Sequence, residues 1–172
     1  SGSSTVVCTR AALLQADGDV VDMDGISPLE FPNVPIDDYY VSIRHRNHLG
    51  VRTANALAFS ATPLVIDFSL SATQIAGANA RLESGSLALL WSGDVTHDER
   101  LVLTGIGSDT NAILTAVLKA PANSGLNSSY RLSGYLDTDL NMDGSTLFMG
   151  PGNDNNALLG NVLLFPTNKD RN

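Results

Sequence analysis

The last third of the chain repeats itself, and no other feature limits its architecture as much. Asp94-Val95-Thr96-His97-Asp98 stands over Asp139-Leu140-Asn141-Met142-Asp143, 45 positions further on. The same offset carries Gly105 and Gly107 onto Gly150 and Gly152, and Asp109 and Asn111 onto Asp154 and Asn156. It also carries Ile113, Leu114, Val117 and Leu118 onto Leu158, Leu159, Val162 and Leu163, and Pro121 onto Pro166. Agreement at polar and apolar positions under one shift marks an internal duplication. Each copy reads as a loop followed by a helix of roughly three turns, because its apolar residues fall at i, i+1, i+4 and i+5 and draw one stripe. Asp109 and Asp154 sit where an N-cap is wanted, and each proline stops its helix. Helices this short are stabilised by packing, so the stripes are predicted to pack on each other or on the rest of the chain.

The loops carry the chemistry. Asp139, Asn141 and Asp143 offer oxygens at positions one, three and five, and Gly144 supplies the sharp turn at six. A hard cation such as calcium takes six to eight oxygens from a chain curled in this way. Ser145, at position seven, would add its backbone carbonyl. The standard loop needs an acid at twelve, where this chain has Gly150; the next acid is Asp154, so the loop is longer. The first copy offers Asp94, Thr96, Asp98, the backbone of Arg100, and Asp109. It lacks the asparagine and the glycine and is expected to bind more weakly. The plainer alternative is a pair of Asx-turns in solvated loops. A duplicated pattern favours two calcium sites over that.

Residues 1–91 read as strands and turns. The β-branched run Thr5-Val6-Val7-Cys8-Thr9 and Val20-Val21 flank a turn at Asp17-Gly18, and Pro28, Pro32 and Pro35 exclude a helix. Residues 39–46 form the clearest strand, with Val41, Ile43 and His45 on one face and Tyr40, Ser42, Arg44 and Arg46 on the other. A turn at 47–50 leads into a further strand at 51–53, and strands are also predicted at 64–68 and 87–91. Residues 72–82 suit either a loop or a short helix. The expected architecture is a mostly β, antiparallel, sandwich-like body over 1–91, with the duplicated region 92–172 packed on it.

Charge and composition exclude several partners. The chain has 18 acidic against 10 basic residues, a formal net charge of −8. Such a surface repels nucleic acid, and the densest basic cluster, Arg44-His45-Arg46, is too short to form a stripe. No apolar run approaches the roughly 20 residues of a membrane span. Residues 1–5 are small and polar and carry no secretory signal. Cys8 is the only cysteine, so no intrachain disulfide forms, and it is expected to pack as a small hydrophobe.

Catalytic patterns are weak. His97 lies inside the first loop, and His45 and His48 flank a turn and would make a two-nitrogen zinc site at most. There is no Gly-x-Ser-x-Gly elbow, Gly105-x-Gly107 lacks the third glycine and the strand of a phosphate loop, and Asp37 and Asp38 point to opposite faces of a strand. A sugar-binding role has better candidates in Tyr39, Tyr40, Tyr130 and Tyr135. One of Tyr39 and Tyr40 must face outward, whereas Trp91 is expected in the core. Asn127-Ser128-Ser129 matches a glycosylation sequon, a common chance match.

The segments Arg10-Ala11-Ala12-Leu13-Leu14-Gln15-Ala16-Asp17-Gly18-Asp19-Val20-Val21-Asp22 and Tyr39-Tyr40-Val41-Ser42-Ile43-Arg44-His45-Arg46-Asn47-His48-Leu49-Gly50-Val51, most specifically the run Arg44 to Gly50, resemble a module of large secreted and cell-surface bacterial proteins of the haemagglutinin-like kind. That module is followed by paired dockerin-like calcium loops similar to residues 139–154. The resemblance implies an extracellular location, calcium binding and no catalytic role. Within that family a strand precedes the segment similar to residues 5–14, so a chain starting here would leave a sheet edge unpaired. A strand from a neighbouring copy would complete it, giving a structural subunit of a fibre or surface layer. The alternative is an adhesin or carbohydrate-binding module of a larger secreted protein, with glycans as partners.

Overall fold

The structure, a computed structural model, describes residues 5–166. Residues 1–4 and 167–172, the outer ends of the two expected regions, lie outside the described residues, as does most of the polar start. In chain order the elements are β1 (Leu13–Leu14), β2 (Val20–Val21), β3 (Asp38–Tyr39), β4 (Ser42–Ile43), β5 (Val51–Arg52), β6 (Leu57–Ala58), β7 (Leu82–Ser84), β8 (Leu87–Leu89), α1 (Asp109–Leu118), β9 (Leu132–Ser133), β10 (Ser145–Thr146) and α2 (Asp154–Leu164). The protein is therefore β-rich, with the two helices that the duplication predicts. Among the described residues every ladder is antiparallel and two-stranded: β1 with β2, β3 with β6, β4 with β5, β7 with β8, and β9 with β10.

One hairpin organises the first region. Its inner pair is Ile43 opposite Val51, and its outer pair is Asp38 opposite Ala58. Between them the register slips, and the Val41 N–H donates to the Thr53 hydroxyl (3.1 Å) while the Thr53 N–H donates to the Val41 carbonyl (2.9 Å). The single strand expected over 39–46 is thus divided into β3 and β4. Its alternation holds for exposed Tyr40, Ser42 and Arg44, but Arg46 departs from it, with a side chain only 5% exposed. Residues 72–81 are irregular rather than helical, and Leu82 opens β7; the stretch lines the far side of β5, where Ala76 N–H donates to Arg52 (2.8 Å) and Ala54 N–H to Gln74 (3.1 Å). Buried Arg81 pins the preceding loop by donating to the carbonyls of Phe68 (2.7 Å) and Thr73 (2.8 Å).

Three expectations fail in this region. Residues 5–9 and 64–68 join no ladder, and Cys8 is exposed rather than packed. The reason is shared: β-branched composition favours an extended chain, but a strand needs an edge to pair with and a core to cover. Trp91 does lie in the core, 1% exposed, with its indole N–H on the Asn79 carbonyl (2.8 Å) and its ring edge-on to Phe165 (5.5 Å).

The duplicated region is built around a symmetric cluster. Val95, Ile113, Leu140 and Leu158 form its buried centre, and the last two are the first two moved by one repeat. Ala112, Ala157 and Val162 pack around them. The predicted stripe is narrower than its sequence, since Leu159 and Leu163 are exposed. Each helix starts one residue earlier than expected. Ser108 and Asn153 are the N-caps, accepting from the N–H of Asn111 (3.2 Å) and Asn156 (2.9 Å). Asp109 and Asp154 are freed from capping and turn into their loops.

Candidate functional site

The two loops fold by the same hydrogen bonds. Asp94 accepts from the N–H groups of Asp98 (3.0 Å) and Glu99 (3.1 Å), and Asp139 from those of Asp143 and Gly144 (both 3.1 Å). Asp109 reaches back to accept from Val95 (2.9 Å), Thr96 (3.0 Å) and Val102 (2.8 Å). Asp154 does the same with Leu140 (2.7 Å), Asn141 (3.3 Å) and Leu147 (2.8 Å). The backbone also turns alike: His97 and Met142 have φ of 57° and 58°, and Glu99 and Gly144 have φ of 63° and 86°. Glycine enters this left-handed region freely, whereas Glu99 holds it at a steric cost. The first loop has lost its glycine and kept the path.

The remaining predicted residues complete these loops. The Thr96 hydroxyl donates to Asp109 (3.2 Å), and the Asn141 amide bridges to the Gly152 carbonyl (2.9 Å). Arg100 N–H donates to Asp98 (3.1 Å); at the equivalent place Ser145 donates its N–H (2.9 Å) and its hydroxyl (2.7 Å) to Asp143. His97 meets Asp137 at 3.2 Å, and His45 and His48 face each other through Nδ1 atoms 3.2 Å apart.

Four carboxylates are buried here: Asp94, Asp109, Asp139 and Asp154. Burial pushes the Asp94 carboxyl above its ordinary range, and the charges of Asp109 and Asp98 add to this against the N–H groups of Glu99 and Asp98. Burial likewise raises Asp154, with the Asp139 charge adding and three backbone N–H groups opposing. Exposed Asp143 moves the other way, chiefly through the Ser145 hydroxyl. Two arginines flank the second loop: Arg46 lies 3.9 Å from Asp139, and Arg131 lies 3.6 Å from Asp143. Among the described residues no basic side chain stands at ion-pair distance from Asp94, Asp109 or Asp154.

The donors in each loop are all oxygens, the set a hard cation takes; Asp109 Oδ1 and Asp154 Oδ1 each already accept two or more hydrogen bonds, whereas the two oxygens of Asp94 and those of Asp139 accept one N–H apiece and keep a further lone pair. Among the described residues no group of three or more His, Cys, Asp or Glu converges to hold a metal ion.

The sequence did not single out the residue that joins the loops. Asn47 is fully buried, and its carbonyl accepts from Gly93 (2.8 Å) and Asp94 (3.0 Å) where the first loop begins. Its side-chain amide donates to the carbonyls of Asp137 (2.7 Å) and Asp139 (2.9 Å) where the second begins. In the sequence it stands only within the run Arg44-His45-Arg46-Asn47-His48-Leu49-Gly50 that carries the resemblance. Thr110 and Asn155, the same position in the two copies, hydrogen-bond to each other at 3.0 Å. Contact between equivalent positions is the mark of a two-fold relation. Comparison with family models, with curated proteins and with solved structures finds no match.

Proposed function

We propose that this protein is a non-catalytic extracellular structural subunit, of a fibre or surface layer, whose duplicated region is stapled by two calcium ions. The observation that carries the reading is the set of buried carboxylates at Asp94, Asp109 and Asp154 with no basic partner. Charge taken out of water at such a site must be matched, and a divalent cation would match it. Asp94, Thr96, Asp98, the Arg100 backbone and Asp109 would hold one ion. Asp139, Asn141, Asp143, Ser145 and Asp154 would hold the other, in loops similar to dockerin-like ones.

Assembly with further copies is the second part of the proposal. Residues 5–9 are exposed along their length, including Val6 (75%) and Val7 (59%), and pair with no strand among the described residues. Added to an open edge of a neighbour, they would extend its short ladders into a sandwich-like body. An adhesin is the competing reading. Tyr40 and Tyr135, 50% and 82% exposed, favour it as faces on which a sugar could stack.

Size and melting temperature, measured first in calcium and then in chelator, test these parts separately. Large assemblies that melt lower in chelator support the subunit. Calcium-stabilised monomers would overturn assembly and leave the adhesin, to be followed by glycan screening. Identical melting in calcium and chelator would overturn the staple; binding only to the folded state stabilises by about 2.7 kcal/mol at a hundredfold excess over Kd.

A further inference from the structure

Asn47 lies outside both loops, yet it holds the first ligand position of each. Its carbonyl fixes the N–H of Asp94, and its amide fixes the carbonyl of Asp139. Among the described residues no other hydrogen-bonds to both. The two loops also share one apolar cluster, to which each contributes its second position, Val95 or Leu140. The junction is under-satisfied: Asn47 Oδ1 and the Nε and Nη1 atoms of Arg46 are buried and lack a hydrogen-bond partner. Unpartnered buried polar atoms are costly, and a network that lacks partners is less rigidly held than a fully satisfied one.

Resting on the calcium reading above, we propose that Asn47 is a positioning residue coupling the two sites, so that an ion entering one loop raises the affinity of the other. The physical basis is ordering. Filling one loop fixes its first residue, hence the Asn47 amide plane and the shared cluster, and the second ion then meets a loop already ordered. Coupling of this kind typically amounts to about 5- to 150-fold in affinity.

Calorimetric titration of the full chain with calcium alone tests it, on wild type, Asp143→Ala, Asn47→Ala and the double variant. Asp143 is 42% exposed and is not among the hydrogen-bond partners of Asn47, so its removal is aimed at the second site and spares the bonds of the junction. In Asp143→Ala the remaining site should be weakened by about 5- to 150-fold relative to the coupled wild type. In the Asn47→Ala background the same substitution should leave it unchanged. Unchanged affinity in Asp143→Ala, with two ions bound by wild type, overturns the coupling while calcium binding stands. Weakening in both backgrounds overturns the assignment to Asn47 and routes coupling through the cluster. Absence of any calcium binding by wild type overturns the parent reading, and the coupling with it. Should Asn47→Ala fail to fold, as circular dichroism would reveal, Asn47→Ser removes the same amide donors from a smaller change, and the wild-type against Asp143→Ala comparison is independent of both.

Discussion

Residues 5–91 and 92–166 solve the problem of stability differently. The first stretch is the longer, yet only Val21, Val51, Ala88 and Trp91 are buried among its apolar side chains; the second buries seven, from Val95 to Leu158. The first holds its shape with turns, two-residue ladders and carbonyls gathered by Arg81. It leaves Val6, Ile26, Ile36 and Val65 at least three-quarters exposed. The second makes one core twice over by placing two copies of a motif face to face. Symmetry lets a short sequence bury the centre of its apolar stripes, at Ile113, Val117 and Leu158, whereas an asymmetric body of this size needs wider sheets than its ladders provide.

The contrast is sharpest at Leu158, fully buried at the centre of the symmetric cluster. Leu158→Ala should cost about 2–5 kcal/mol in a denaturant melt. Leu13→Ala in β1, at a side chain 40% exposed, should stay within about 0.5 kcal/mol in the same assay. Similar losses at the two sites would break the comparison.

A smaller effect distinguishes the two loops. Glu99→Gly relieves the left-handed backbone at φ 63° and gives up only an exposed ion pair with Arg44, so the melting temperature should rise by the equivalent of about 1 kcal/mol. A drop on this substitution would mean that Glu99 serves the first loop through its side chain.

A further effect, confined to the body, depends on pH. Burial, with the charges of His45 and Arg46 adding, lowers His48 to about 4, so the folded chain holds this imidazole neutral where the unfolded chain would protonate it. Between the ordinary value of about 6.5 and about 4 the unfolded state binds more protons, so stability should fall as the pH is lowered through this window. His48→Gln should flatten that slope; an unchanged slope would place its origin elsewhere.

What the sequence made legible follows from range. The offset from Asp94 to Asp139, the helical stripes and the turn at Gly144 are local or periodic signals, and the structure places all of them. The caps lie one residue before the expected aspartates because aspartate suits both the cap and the first turn, and only the loop's N–H groups reveal that Asp109 and Asp154 face inward. The unpaired run at 5–9, the exposed Cys8 and the absence of a ladder at 64–68 depend on partners far along the chain, which composition does not specify. Asn47 escaped for the same reason: its amide reaches residues 90 and 92 positions away.

The bond between Thr110 and Asn155 has a last consequence. A two-fold interface between separate chains dissolves on dilution, and its halves must mutate together. Here both halves travel on one polypeptide, at an effective concentration that short tethers raise to about millimolar whatever the amount of protein present. The paired loops are thus dilution-proof, and each is free to differ from the other, as Glu99 standing where the second copy has Gly144 illustrates.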